Sequence, residues 1–214
     1  SRMADDLDPG DGLAARASAG PAEVAEMYDD WAPTRYDADL AAWGYDAPVR
    51  AAAMISESVT SGPVLDAGCG TGLVGVELHR RGVVPIVGGD FSAASVDIAR
   101  SRGVFAAVVE LDLNRPLDFV DGRFRAVVSV GVFCYITDAE ATIRELLRVV
   151  EPGGPVLFTQ RTDLWEDRGF PGLLRVLVDE GVCSADVTSP QPYLPQHPEF
   201  AGAIGIHYAT LTRC

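Results

Sequence analysis

The sequence predicts an α/β domain in which a parallel sheet is doubly wound by helices on both faces. Three observations predict it. From residue 63 onward short apolar runs alternate with amphipathic stretches, the pattern of strands buried on both faces and covered by helices. The first run, Val64-Leu65-Asp66-Ala67-Gly68-Cys69-Gly70-Thr71-Gly72, reaches an acid, turns through three alternate glycines and opens a helix. The next closes on a second acid in Gly88-Gly89-Asp90-Phe91-Ser92.

With 214 residues, 48% of them hydrophobic, the chain reads as one domain that buries a sizeable core without disulfides or metals. The net charge of −14 opposes a surface that tracks phosphates, so the expected partner is a small molecule, not nucleic acid or an anionic membrane. The expected assembly is a monomer or homodimer. Cys69, Cys134, Cys183 and Cys214 are far apart and form no CxxC pair, which signals neither a zinc site nor a disulfide framework and points to a reducing cytoplasm. No metal is expected. No apolar run approaches the roughly 18 residues of a membrane span.

Residues 1–20 are rich in Asp, Gly and Ala and poor in large apolar side chains, which predicts a disordered lead-in. Ser1-Arg2 ahead of Met3 reads as a remnant of an expression vector. The single domain then spans 21–214 and starts with a helical cap, 21–59. Within the cap, 22–28 reads as a helix, Trp31, Tyr36, Leu40, Trp43 and Tyr45 concentrate aromatics, and Asp46 is a plausible N-cap, with Pro48 in the first turn, for a helix to about Val59. Strands at 63–66 and 85–90 alternate with helices at 73–81 and 92–101. Strands follow at 106–111 and 124–129. The capping box Thr137-x-x-Glu140 opens a helix that ends at Val150, where Pro152-Gly153-Gly154 stops it. A strand at 156–160, a helix at 171–180 and strands at 182–187 and 204–212 complete the chain, with a proline-rich loop at 190–198.

Taken alone, Gly70-Thr71-Gly72-Leu73-Val74-Gly75 matches the GxGxxG of nicotinamide and flavin sites. That match is weak, because there the helix N-terminus faces a pyrophosphate, which the Asp66 carboxylate would oppose. A carboxylate suits a ligand with an ammonium group and no phosphate, such as the methionine end of S-adenosylmethionine. Asp90, 24 residues after Asp66, can accept both ribose hydroxyls. Asp112 ends the third strand and can accept from the adenine amino group, with the Leu113 amide near the ring. Ser129 and Val130, at the tip of the fourth strand, are candidates to line the cofactor through backbone groups. As plain structure, these residues would be an N-cap, turn glycines and strand ends.

At these residues the chain resembles the class I S-adenosylmethionine-dependent methyltransferases, over nearly all of 21–214. The resemblance rests on Leu65-Asp66-Ala67-Gly68-Cys69-Gly70-Thr71-Gly72, Gly89-Asp90-Phe91-Ser92, Asp112-Leu113, the strand at 124–130, and Glu145-Leu146-Leu147-Arg148-Val149-Val150-Glu151-Pro152-Gly153-Gly154. Tyr28-Asp29-Asp30-Trp31-Ala32, Tyr36-Asp37-Ala38-Asp39-Leu40 and Trp43-Gly44-Tyr45 look most like the branch holding the Williams–Beuren-region methyltransferase-like proteins and bacterial small-molecule methyltransferases. The resemblance implies seven strands in the order 3-2-1-4-5-7-6, the last antiparallel. It implies S-adenosylmethionine as cofactor and S-adenosylhomocysteine as product, with Asp66, Ala67, Gly68, Gly70, Asp90, Phe91, Asp112, Leu113 and Ser129 as binding residues. Tyr28 and Tyr36 would sit in a lid over the methionine end, and Tyr135 would face the acceptor. Arg125 departs from the pattern, since relatives usually carry Asp there.

A base is harder to name. His79 reads as solvated surface, whereas His197 in the 190–198 loop and His207 in the last strand are weak catalytic candidates. In-line transfer from a sulfonium to an oxygen, nitrogen or carbon atom draws most of its acceleration from alignment and water exclusion, so no base is obligatory. Two other readings stay open: a non-methylating relative of the same fold, and a nicotinamide-dependent dehydrogenase.

Overall fold

Eight strands and eight helices form along the chain in the computed structural model, which describes residues 21–214. The expected lead-in at 1–20 lies outside the described residues. In order, the elements are α1 (Pro21–Trp31), α2 (Tyr36–Ala42), α3 (Ala47–Ser58), β1 (Val64–Ala67), α4 (Leu73–Arg80), β2 (Ile86–Asp90), α5 (Ala93–Ser101), β3 (Ala107–Glu110), β4 (Ala126–Ser129), α6 (Ala139–Val149), β5 (Pro155–Arg161), α7 (Thr162–Trp165), α8 (Phe170–Asp179), β6 (Cys183–Val187), β7 (Gln191–Pro192) and β8 (Gly205–Arg213), with a 3-10 turn at Phe133–Tyr135. The strands form one sheet ordered β3-β2-β1-β4-β5-β8-β6, and β7 adds to β8. The first five strands pair in parallel, and β8 runs antiparallel to β5 and β6. Discounting the two-residue β7, this is the expected order 3-2-1-4-5-7-6 with its last strand reversed.

Alternation along each strand divides the core between the two faces. Val156 and Phe158 of β5 join Leu65, Ile143, Leu146, Phe170 and Leu177 beneath α6 and α8. Leu157 between them turns to the other face and packs with Ala51, Ile55, Val74 and Leu78 of α3 and α4. A third cluster lies outside the sheet, where Trp31, Leu40, Leu194 and Phe200 bring the cap and the 190–198 region together.

Several boundaries differ from the expected ones by a residue or two, and some caps differ in kind. Thr137 is not the N-cap of α6. Asp138 is, accepting from the Ala141 N–H at 2.9 Å, while Thr137 is drawn off by Asn114, whose Oδ1 accepts from both its N–H and hydroxyl. Asp46 holds the N-cap position of α3, but its carboxylate accepts from Arg50 one turn on, at 2.7 Å, and caps no backbone amide. Phe124 makes only an isolated bridge to Val150, so β4 starts at Ala126. The short elements α2, α7 and β7 carry too few residues to show a period in sequence.

Candidate functional site

The carboxyl ends of β1 to β4 open into one cleft, at the point where the strand order reverses between β1 and β4. It encloses about 730 Å³, the solvent at its open mouth included. The floor is backbone. Gly68, Gly70 and Gly72 all have positive φ (75°, 51° and 92°), which a side chain would strain, so the chain turns tightly from β1 into α4. A Cβ at Gly70 would meet nothing within 4 Å, leaving bare main chain against the cleft. Gly131, also at φ 75°, repeats after β4 what Gly68 does after β1. Gly75, the last glycine of the GxGxxG match, serves packing instead: its Cβ position lies 2.1 Å from the Phe105 ring.

Asp90 stands half-buried at the end of β2. One carboxylate oxygen accepts from the Gly70 N–H at 2.7 Å and the other from the Ser92 N–H at 2.9 Å, which fixes the group and leaves each oxygen a lone pair for a ligand. Burial pushes its pKa up and these amides oppose the rise. Asp112, just past the neighbouring β3, is held by the Asn114 N–H at 2.9 Å and by Arg115 at 3.3 Å. Phe91, Leu111 and Leu113 line the cleft with it. The lining is also aromatic, with Tyr28 and Tyr36 from the cap and Tyr135 from the 3-10 turn. Tyr28 meets Tyr36 and Tyr135 edge-on at centroid distances of 5.6 and 6.0 Å.

Five of the expected cofactor and catalytic residues stand elsewhere. Asp66 is wholly buried behind the glycine turn: Oδ2 accepts from the Gly75 N–H at 3.1 Å, Oδ1 has no partner, and burial raises its pKa to about 8. It therefore braces α4 from below and does not present a charge to the cleft. Ala67 and Ser129 are buried inside their strands, and the lining begins one residue later in each case. His197 is buried in the cap, 4.5 Å from the Trp43 ring centroid, with Nδ1 accepting from the Glu199 N–H. His207 lies on β8 against Trp165 and beside the Thr188 carbonyl. Neither histidine lines the cleft. Sequence reasoning missed Gly131, Val132, Asn114 and Ile136. A glycine within two residues of the end of an apolar strand was the available signal for Gly131.

The cap is tied down at two points beside this cleft. Asp29 of α1 accepts from the Ser92 hydroxyl at 2.5 Å and from the Ala94 N–H at 3.3 Å, at the start of α5. Asp37 of α2 accepts from Thr71 and pairs with Arg102.

A "methyltransferase domain" family model matches residues 64–154, the stretch from β1 to the turn before β5. Human methyltransferase-like protein 27 is 34% identical over 158 residues, which cover 69% of this chain and 63% of that protein. The chain belongs to the class I S-adenosylmethionine-dependent methyltransferases. The bovine probable tRNA methyltransferase 9B is 34% identical over 137 residues, 63% of this chain and 28% of that protein. The chain thus spans less than two thirds of these relatives' length. The methyltransferase fold also matches a Haloferax volcanii methyltransferase solved with the Trm112 methyltransferase activator, with a TM-score of 0.66 and 18% identity over 87% of this chain and 98% of that one. For a methyltransferase cofactor the cleft fits: bare backbone at Gly70 admits a close ligand, and Asp90 keeps acceptor capacity beside it.

Proposed function

We propose that this chain binds S-adenosylmethionine in the cleft and transfers its methyl group to a small metabolite. The observation that carries the reading is Asp90, fixed by two amides above a glycine floor and poised to accept the two ribose hydroxyls. Asp112 and Leu113 would hold the adenine end, while Gly68 and Gly131 let the methionyl end lie against main chain. When bound, the cofactor supplies a methyl group already activated by a sulfonium. The residues around it have three tasks: to align, to exclude water and to keep the acceptor on the far side of that methyl. Tyr28, Tyr36 and Tyr135 suit the last, since they give the same cleft an aromatic lining. A cytoplasmic location accords with the four free cysteines.

The names of two similar proteins favour a second reading, in which the acceptor is tRNA and an activator subunit assists. Against it stand the net charge of −14 and a cleft whose charged lining, among the described residues, is Asp90 and Asp112.

Calorimetric titration with S-adenosylhomocysteine tests the donor half: wild type binds, and Asp90→Ala loses roughly tenfold or more in affinity. Deuteromethyl donor, supplied with the protein to a metabolite extract and separately to tRNA, tests the acceptor half by mass spectrometry. Label in tRNA alone would replace the small-molecule reading.

A further inference from the structure

The aromatic part of the cleft lining has a definite chemistry. Three tyrosine rings form a corner, with Tyr28 edge-on to Tyr36 and to Tyr135 at interplanar angles of 70° and 84°. Val132 and Ile136 line the same cleft. Among the described residues no Arg or His lines the cleft, and the two charged residues that do are both acids. The nearest cation in sequence, Arg115, lies outside with 79% of its side chain exposed, and is paired with Asp112. Burial and neighbouring hydroxyls push the tyrosine pKa values upward, so the hydroxyls stay protonated and none serves as a base.

An acidic oxygen acceptor fits this wall badly. A phenol or carboxylic acid must react as its anion, which here meets two carboxylates and no counter-cation. A neutral nitrogen has the opposite profile: it needs no base, and its charge becomes positive as it reacts. Aromatic faces attract cations, most strongly when desolvated. Resting on the methyl-transfer reading above, we propose that the acceptor is an apolar amine, methylated on nitrogen against the Tyr28–Tyr36–Tyr135 corner. The nitrogen lone pair forms the N–C bond as the C–S bond breaks and its electron pair goes to sulfur. The positive charge passes from sulfur to nitrogen, and any proton the product amine holds in excess leaves to water.

The test uses probes shaped like the product. The protein loaded with S-adenosylhomocysteine is titrated with (2-phenylethyl)trimethylammonium, with the neutral isostere carrying carbon in place of nitrogen, and with 3-phenylpropanoate. The cation should bind about tenfold tighter than the isostere, and the carboxylate weakest. Tyr135→Leu should abolish the preference for the cation while S-adenosylhomocysteine binding persists, and Tyr135→Phe should restore it. Equal affinities, a preference for the neutral or acidic probe, or no binding of the cation overturns the proposal. Failure of S-adenosylhomocysteine to bind in the first step overturns the methyl-transfer reading instead, so the two failures are told apart.

Discussion

Thr71, inside the glycine turn, donates a hydrogen bond from its hydroxyl to Asp37 of the cap helix α2, with 2.5 Å between the oxygens. Arg102 closes the group, pairing with the other Asp37 oxygen and donating through Nε to the Thr71 carbonyl at 3.0 Å. The loop read as holding the donor and the segment read as holding the acceptor are therefore mechanically joined. Asp37→Ala would cut that joint and cost roughly 1–2 kcal/mol, because two donors lose their charged acceptor. Hydrogen exchange should rise in α2 and stay unchanged in α6, and S-adenosylhomocysteine affinity should fall several-fold. Unchanged exchange in α2 would show that the joint does not hold the cap.

Asp66 makes stability depend on pH in an uncommon direction for a carboxylate. Its native pKa of about 8 lies above the unfolded value, so the native state keeps a proton that the unfolded chain loses. The stability this contributes is full below about pH 4 and is lost as pH rises through about 8. Asp66→Asn removes the titration. Denaturant melts of wild type and variant should diverge between pH 5 and 8.5, with wild type falling relative to the variant; parallel profiles would contradict the assignment.

How far the sequence revealed the fold and the site depended on the kind of signal. Asp90, Asp112, Gly68 and Gly70 were legible because strand tips and turns impose residue types at fixed spacing, and the structure brings them to one cleft. Asp66 was legible as an acid at the right position but not as a buried one, since which way its carboxylate turns is set by the Gly75 amide, a tertiary contact. The histidines misled for the same reason: a loop residue such as His197 is read as exposed until Trp43 and Phe200 close over it. Short helices such as α2 and α7 carry no period to read.

Phe105 lies in a niche made by three glycines, close to the Cβ positions of Gly72, Gly75 and Gly88. Gly75→Ala would push on the ring from 2.1 Å and destabilise the domain by about 1–3 kcal/mol. Combining it with Phe105→Leu should recover part of that loss, giving a coupling energy above about 0.5 kcal/mol in a double-mutant cycle. Additive effects would mean that the ring does not set the glycine requirement.

Because His207 pairs with the Thr188 carbonyl and Trp165, away from the cleft, His207→Gln should leave kcat/KM within about twofold once an acceptor is in hand. A loss of two orders of magnitude would return it to the reaction.

The floor built by Gly68, Gly70 and Gly131 offers a ligand main chain, while the aromatic wall offers the side chains of Tyr28, Tyr36 and Tyr135. Main chain is blind to most point mutations and side chains are not. Selection can therefore retune the wall one residue at a time, trading one acceptor for another, for as long as the floor glycines and Asp90 are kept for the donor.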